Sequence, residues 1–124
     1  MCGIAGFTGF KNNIELAENA NEIQHHRGPD NQSVWSDEYI ALAHQRLSII
    51  DLSAKGHQPY IFKGLSMVFN GEIYNYLELR QSLVQKGEKF NTFSDTEVLL
   101  KLLINEKEKA FNRLNGMFAF CFLD

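Results

Sequence analysis

Every residue from 117 to 123 is apolar, running Met-Phe-Ala-Phe-Cys-Phe-Leu, so a fold for this chain must cover both faces of that segment. Seven residues is strand length and short for a core helix, which predicts a buried strand. The other end of the chain is also strand-like. Residues 2–10 are small or apolar, and Gly3, Gly6 and Gly9 allow another backbone or a ligand to come close. Asn13 can cap a helix running to about residue 24, with Ile14, Ala17, Ala20 or Asn21, and Ile23 at helical intervals. Gly28-Pro29 cannot continue it. Residues 33–35 and 39–45 read as two strands around a polar turn at Ser36-Asp37. Residues 65–69 form a short strand that ends at Asn70-Gly71, a dipeptide whose tolerance of positive φ signals a hairpin turn. Asn75 can cap a helix over 76–86, which Gly87 stops. Ser94-Asp95-Thr96-Glu97 is a capping box ahead of Val98, Leu99, Leu102 and Leu103. The order β, α, β, β, β, α, α, β predicts an α+β domain with helices covering one side of a mostly antiparallel sheet. A chain that stops at a buried strand, without a closing helix, reads as a fragment of a larger domain.

Composition limits what such a domain does. A net charge of −3 with no basic run gives no reason to invoke nucleic acid or an anionic membrane. No apolar stretch approaches the roughly 20 residues that cross a bilayer. Two cysteines, at positions 2 and 121, make neither a disulfide framework nor a metal spacing, and the histidines show no zinc-ligand pattern. With no signal peptide, the expectation is a reducing, cytoplasmic setting.

Cys2 carries the chemistry of interest. If Met1 is removed, which a small second residue permits, one residue holds both a thiol and a free α-amine. Their reference pKa values are about 8.5 and about 7.7–8.0, so a nucleophile and a base stand side by side near neutral pH. This is the cysteine form of the N-terminal-nucleophile arrangement. The alternative reading is a small buried hydrophobe in a short strand.

Seven segments share one register: MCGIAGF at 1–7, HRGPD at 26–30, HQRLSIIDLS at 44–53, GHQP at 56–59, FNGEIYNY at 69–76, SDTEVLL at 94–100 and LNGMFAF at 114–120. Together they resemble the glutaminase domain of glutamine-hydrolysing asparagine synthetase, a class II glutamine amidotransferase, over residues 1–124. The resemblance implies an N-terminal-nucleophile hydrolase fold, a four-layer αββα sandwich, here incomplete at its C-terminal end. It implies that Cys2 is the nucleophile that frees ammonia from glutamine through a γ-glutamyl thioester. Asn70 and Gly71 then match the oxyanion-hole pair, although alone they read as a turn. Arg46 matches the residue that grips the substrate α-carboxylate, which suits a forked guanidinium. Asp95 and Glu72 match the groups that receive its α-ammonium. Asp95 also reads as a first-turn carboxylate favoured by the helix dipole, and both roles are compatible. Ile49 and Ile50 would lie against the substrate through their backbone, and His26, Arg27 and Asp30 would support the site by holding strand ends. No cofactor is expected in this chain. ATP and magnesium belong to the synthetase half, which these 124 residues do not include, and which would be the partner in cis or in trans. A homodimer is the other expected partner. The ammonia acceptor stays open, as does a silent glutamine-binding role.

Overall fold

The computed structural model describes residues 1–124. The chain forms six strands and three α-helices: β1 (Gly3–Thr8), α1 (Asn13–Ile23), β2 (Asn31–Ser36), β3 (Ile40–Arg46), β4 (Tyr60–Phe62), β5 (Leu65–Ile73), α2 (Tyr76–Gln85), α3 (Asp95–Glu106) and β6 (Gly116–Leu123). The strands make two separate antiparallel sheets, ordered β1-β3-β2 and β4-β5-β6. The single sheet expected from the order of elements is therefore two. β4, a three-residue strand after the loop at 54–59, is an element that sequence patterning missed.

Alternation along the central strands builds four layers. On β3, Ala41 and Ala43 pack against Ala17 of α1, while His44 on the opposite face reaches Phe69 of β5 with its ring nitrogen 3.3 Å from the carbonyl oxygen. On β5, Met67, Phe69 and Ile73 face a core formed with Leu79 and Leu83 of α2 and Val98, Leu99, Leu102 and Leu103 of α3. The layers run α1, first sheet, second sheet, then α2 with α3: the αββα sandwich that the motifs imply. Each large side chain buried in that core contributes about 1.5–3 kcal/mol.

The helix against the first sheet differs from expectation. Ile14 and Ile23 are exposed, and the buried residues are Asn13, Ala17 and Asn21, spaced by four. Alanines on both partners bring α1 close to the sheet, with Phe7 and Val34 packed around the contact. Asn21 donates to the Ser33 carbonyl, and Gln45 donates to the Asn21 carbonyl, so the contact is sealed by hydrogen bonds. Asn13 does not cap the helix: its side chain accepts from Phe10 N and donates to the Tyr39 carbonyl.

Two further expectations change. Asn70-Gly71 is not a hairpin turn, because β5 runs straight through it to Ile73, with Asn70 opposite Ala119 and Gly71 opposite Phe118 on β6. Nor is β6 buried on both faces. Phe118, Phe120 and Phe122 pack on the α2–α3 core, Met117 is 64% exposed, and β6 is an edge strand with a partner on one side.

Candidate active site

The ends of β1, β3 and β5 and the start of α3 meet at a cleft with a cavity volume of about 90 Å³. Cys2, just before β1, reaches it from one side. Its Sγ lies 3.4 Å from Leu47 N, which donates to it, and 3.6 Å from Leu47 O. Arg27 Nε donates to the Cys2 carbonyl at 2.9 Å, and Asp30 accepts from Ser48 N at 2.7 Å. The 25–30 loop thus pins the cysteine and the start of the loop after β3, where the sequence put strand-holding residues. His26 is not brought to the cleft. It is exposed, with its ring 3.1 Å from the Ile23 carbonyl.

Asn70, Gly71 and Glu72, consecutive on β5, line the cleft opposite. Gly71 has φ of 152°, and a Cβ there would lie 2.6 Å from Phe118 Cα, so glycine alone lets β6 pass this close. The Asn70 side chain is not consumed by structure, and its Oδ1 is buried with no hydrogen-bond partner. No structural hydrogen bond of this oxygen fixes the amide in the cleft wall.

Charge is placed at two poles. Arg46, at the end of β3, is 6% exposed, and its guanidinium donates to the Asp51 carbonyl and to the Ser53 carbonyl at 2.8 Å. Gly56 packs on that guanidinium where any Cβ would collide with it. Two carbonyls leave donors of the fork unspent, since a guanidinium has five. Asp95, in the first turn of α3, is 5% exposed and accepts from Ile73 N at 3.1 Å. Burial raises its pKa above the usual carboxylate range, and the nearby Glu72 charge adds to the rise. None of the four ion pairs in the protein involves Arg46, Glu72 or Asp95. A buried guanidinium and a buried carboxylate, neither of them in a direct ion pair, flank one cleft, which suits a zwitterionic ligand. Ile49 and Ile50 line the wall between them, Ile49 with an exposed side chain.

Sequence reasoning missed several residues here. Gln58 is buried in the cleft wall, where its amide oxygen accepts from Phe69 N at 2.6 Å and its amide nitrogen donates to Thr96 Oγ1. It ties the strand carrying Asn70 to the helix carrying Asp95. Glu97, fully buried, accepts from Asn91 N, Thr92 N and Thr92 Oγ1 and shapes the loop ahead of Asp95. The capping box is therefore half formed: Ser94 Oγ accepts from Glu97 N, but the Glu97 carboxylate is engaged elsewhere. The signal for Gln58 was present in the GHQP segment, though no pairing rule assigns it a partner 38 residues away. No group of three His, Cys, Asp or Glu side chains is arranged to hold a metal ion.

Comparison with known proteins bears on the family and the fold. The sequence profile of the glutamine amidotransferase domain matches residues 1–124. Asparagine synthetase [glutamine-hydrolyzing] 1 of Bacillus subtilis is 45% identical over 97% of this chain and 20% of its own length. Asparagine synthetase B of Escherichia coli is 38% identical over the whole chain and 23% of its own length. The chain thus spans about a fifth of these relatives. Among solved structures, glutamine phosphoribosylpyrophosphate amidotransferase from B. subtilis superposes with a TM-score of 0.60 at 28% identity, over 70% of this chain and 21% of that one. With a profile match along its whole length, a four-layer fold and relatives of this kind, the chain belongs to the glutamine amidotransferase domain family.

Proposed function

We propose that this domain hydrolyses glutamine to glutamate and ammonia. One observation carries the reading: the cleft holds Cys2, the uncommitted side chain of Asn70 and two unpaired poles of opposite charge. Arg46 takes the α-carboxylate of glutamine, and Asp95 with Glu72 takes the α-ammonium. The side-chain amide then extends toward Cys2. The thiolate attacks the amide carbon, and the oxygen that becomes negative receives hydrogen bonds from the Asn70 side chain and Gly71 N–H. Collapse breaks the C–N bond. The α-amine of Cys2, freed by removal of Met1, takes the thiol proton and passes it to the nitrogen that leaves as ammonia, and water hydrolyses the γ-glutamyl thioester to glutamate.

The ammonia serves a synthetase domain, in cis or in trans, that makes asparagine from aspartate. ATP and magnesium are assigned to that domain, and no step above runs through either. Another acceptor is the alternative, because the acceptor is chosen outside these residues. A reducing cytoplasm suits a reaction that needs a free thiol, and both cysteines are unpaired. No helix is long and apolar enough to cross a membrane. A homodimer is the other expected assembly, which sedimentation at rising concentration would detect.

The test is ammonia release from glutamine by the intact chain. Equal yields of glutamate and ammonia, lost in Cys2→Ser, are expected; release undiminished in Cys2→Ser would contradict the mechanism. Met1 itself lines the cleft, which favours a second reading where Met1 is retained. The α-amine is then locked in a peptide bond, and the domain binds glutamine without turning it over.

A further inference from the structure

Asp51 lies between the two charged poles of the cleft: its carbonyl accepts from Arg46, and its carboxylate reaches the loop that leads to Asp95. It is 8% exposed. Its Oδ1 accepts from Ser53 N at 2.8 Å and from Ser53 Oγ at 2.6 Å, closing a tight turn over 51–53. That turn presents the two carbonyls, of Asp51 and Ser53, that hold the Arg46 guanidinium. The other carboxylate oxygen, Oδ2, accepts from Phe93 N at 3.0 Å, across 42 residues of sequence. Phe93 immediately precedes Ser94, the N-cap of α3, and Asp95 follows. One carboxylate therefore fixes the loop that aims the cation and anchors the loop that delivers the anion.

The carboxylate is suited to this. The Ser53 hydroxyl, then the Phe93 and Ser53 amides and the Arg46 charge, hold its pKa below the usual range despite burial. It stays an acceptor-only group at neutral pH, with both oxygens in use. No other side chain in the protein bonds to both the 51–53 turn and the loop preceding α3.

We infer that Asp51 is a positioning residue that sets the spacing between Arg46 and Asp95, so that the cleft accepts an amide only when an α-carboxylate and an α-ammonium sit on one carbon. This deepens the glutamine reading and rests on it. The residue takes no part in bond making. Its effect is on selection of the free amino acid over amides that carry only one of the two charges.

The experiment compares the wild-type chain with Asp51→Asn and Asp51→Glu. Asparagine has one acceptor oxygen, so it cannot serve Ser53 and Phe93 together. Ammonia release is measured from glutamine, from 4-carbamoylbutanoate, which lacks the α-amine, and from 4-aminobutanamide, which lacks the α-carboxylate. In Asp51→Asn the KM for glutamine rises about tenfold with kcat nearly unchanged, the pattern of lost ground-state binding to charged groups. Its preference for glutamine over both truncated amides falls together, and Asp51→Glu restores part of it. A lower melting temperature with preference and KM unchanged would overturn the inference, because that is what a merely structural carboxylate does. Wild-type protein that releases no ammonia would fail the glutaminase reading instead. In that case hydrogen exchange at Phe93 N–H decides: faster exchange in Asp51→Asn supports the tether, and unchanged exchange overturns it.

Discussion

At the scale of single residues, the cleft is built from groups that the fold leaves unsatisfied. Asp95 is the clearest, buried beside the charge of Glu72 and without a basic partner, so its ionised form is disfavoured until a cation arrives. An ammonium bound there favours the carboxylate, so affinity is present above the raised pKa of Asp95 and is lost as pH falls through it. The KM for glutamine is therefore expected to climb on the acid side. Asp95→Asn raises it by about 10–100-fold at neutral pH, the worth of a charge-assisted hydrogen bond, and flattens that acid limb. Initial rates across pH for the two proteins check both statements; a parallel acid limb in the variant would contradict them. That Cys2, Arg46, Asn70 and Asp95 meet at one cleft was legible through the resemblance of their motifs to a known family rather than from the residue types alone. Asp51 and Gln58 were not, although they lie in the segments 44–53 and 56–59 that carry the resemblance. Their roles are hydrogen bonds to backbone amides of Phe93 and Phe69, and a backbone amide has no sequence signature.

At the scale of elements, the strand that carries Asn70 and Gly71 shows how a local signal loses to pairing. Asn-Gly favours a turn by its own φ preferences, yet eight residues of β5 are matched to β6 in register across it. The glycine is needed for proximity as well as for conformation: at φ of 152° a Cβ would collide with the Met117 carbonyl and the Phe118 backbone. Gly71→Ala is expected to cost more than the roughly 1–3 kcal/mol of a strained φ alone, since β6 must also shift. Urea unfolding reads that loss, and stability equal to wild type would contradict the placement. Helix limits, by contrast, follow the sequence closely. The run from Asp95 to Leu103 is buried at every position, which a helix held between a sheet and a second helix demands, and the apolar spacing over Val98, Leu99, Leu102 and Leu103 announced most of it. For α1 the same spacing argument was right for Ala17 and Asn21, which are buried, and wrong for Ile14 and Ile23, which are exposed although they look like core, because alanines decide how close the helix can sit.

At the scale of the molecule, the seam between the two sheets holds the site together, and no periodicity reveals it. Local patterns yield strands and helices, but whether strands form one sheet or two depends on contacts such as His44 to Phe69, 25 residues apart. His44 is fully buried there, its Nδ1 has no partner, and burial, aided by the Arg46 and His57 charges, lowers its pKa to about 4. Between the reference value near 6.5 and about 4, the unfolded chain binds a proton that the native chain does not. Stability then falls as pH drops through that window, by on the order of 3 kcal/mol from this group. Asp95 acts in the opposite sense, being favoured by protonation, but at the acid end of the range. Urea midpoints at pH 7 and pH 5 should separate in wild type and converge in His44→Gln; an unchanged separation would contradict the assignment. The central claim is that the cleft is an assembled glutaminase site on Cys2, and the most direct measurement is the intact mass after exposure to a diazo-ketone analogue of glutamine. A protein lacking Met1 and carrying one adduct on Cys2, blocked by excess glutamine, is predicted. An unmodified cysteine in a folded chain that has lost Met1 would contradict it.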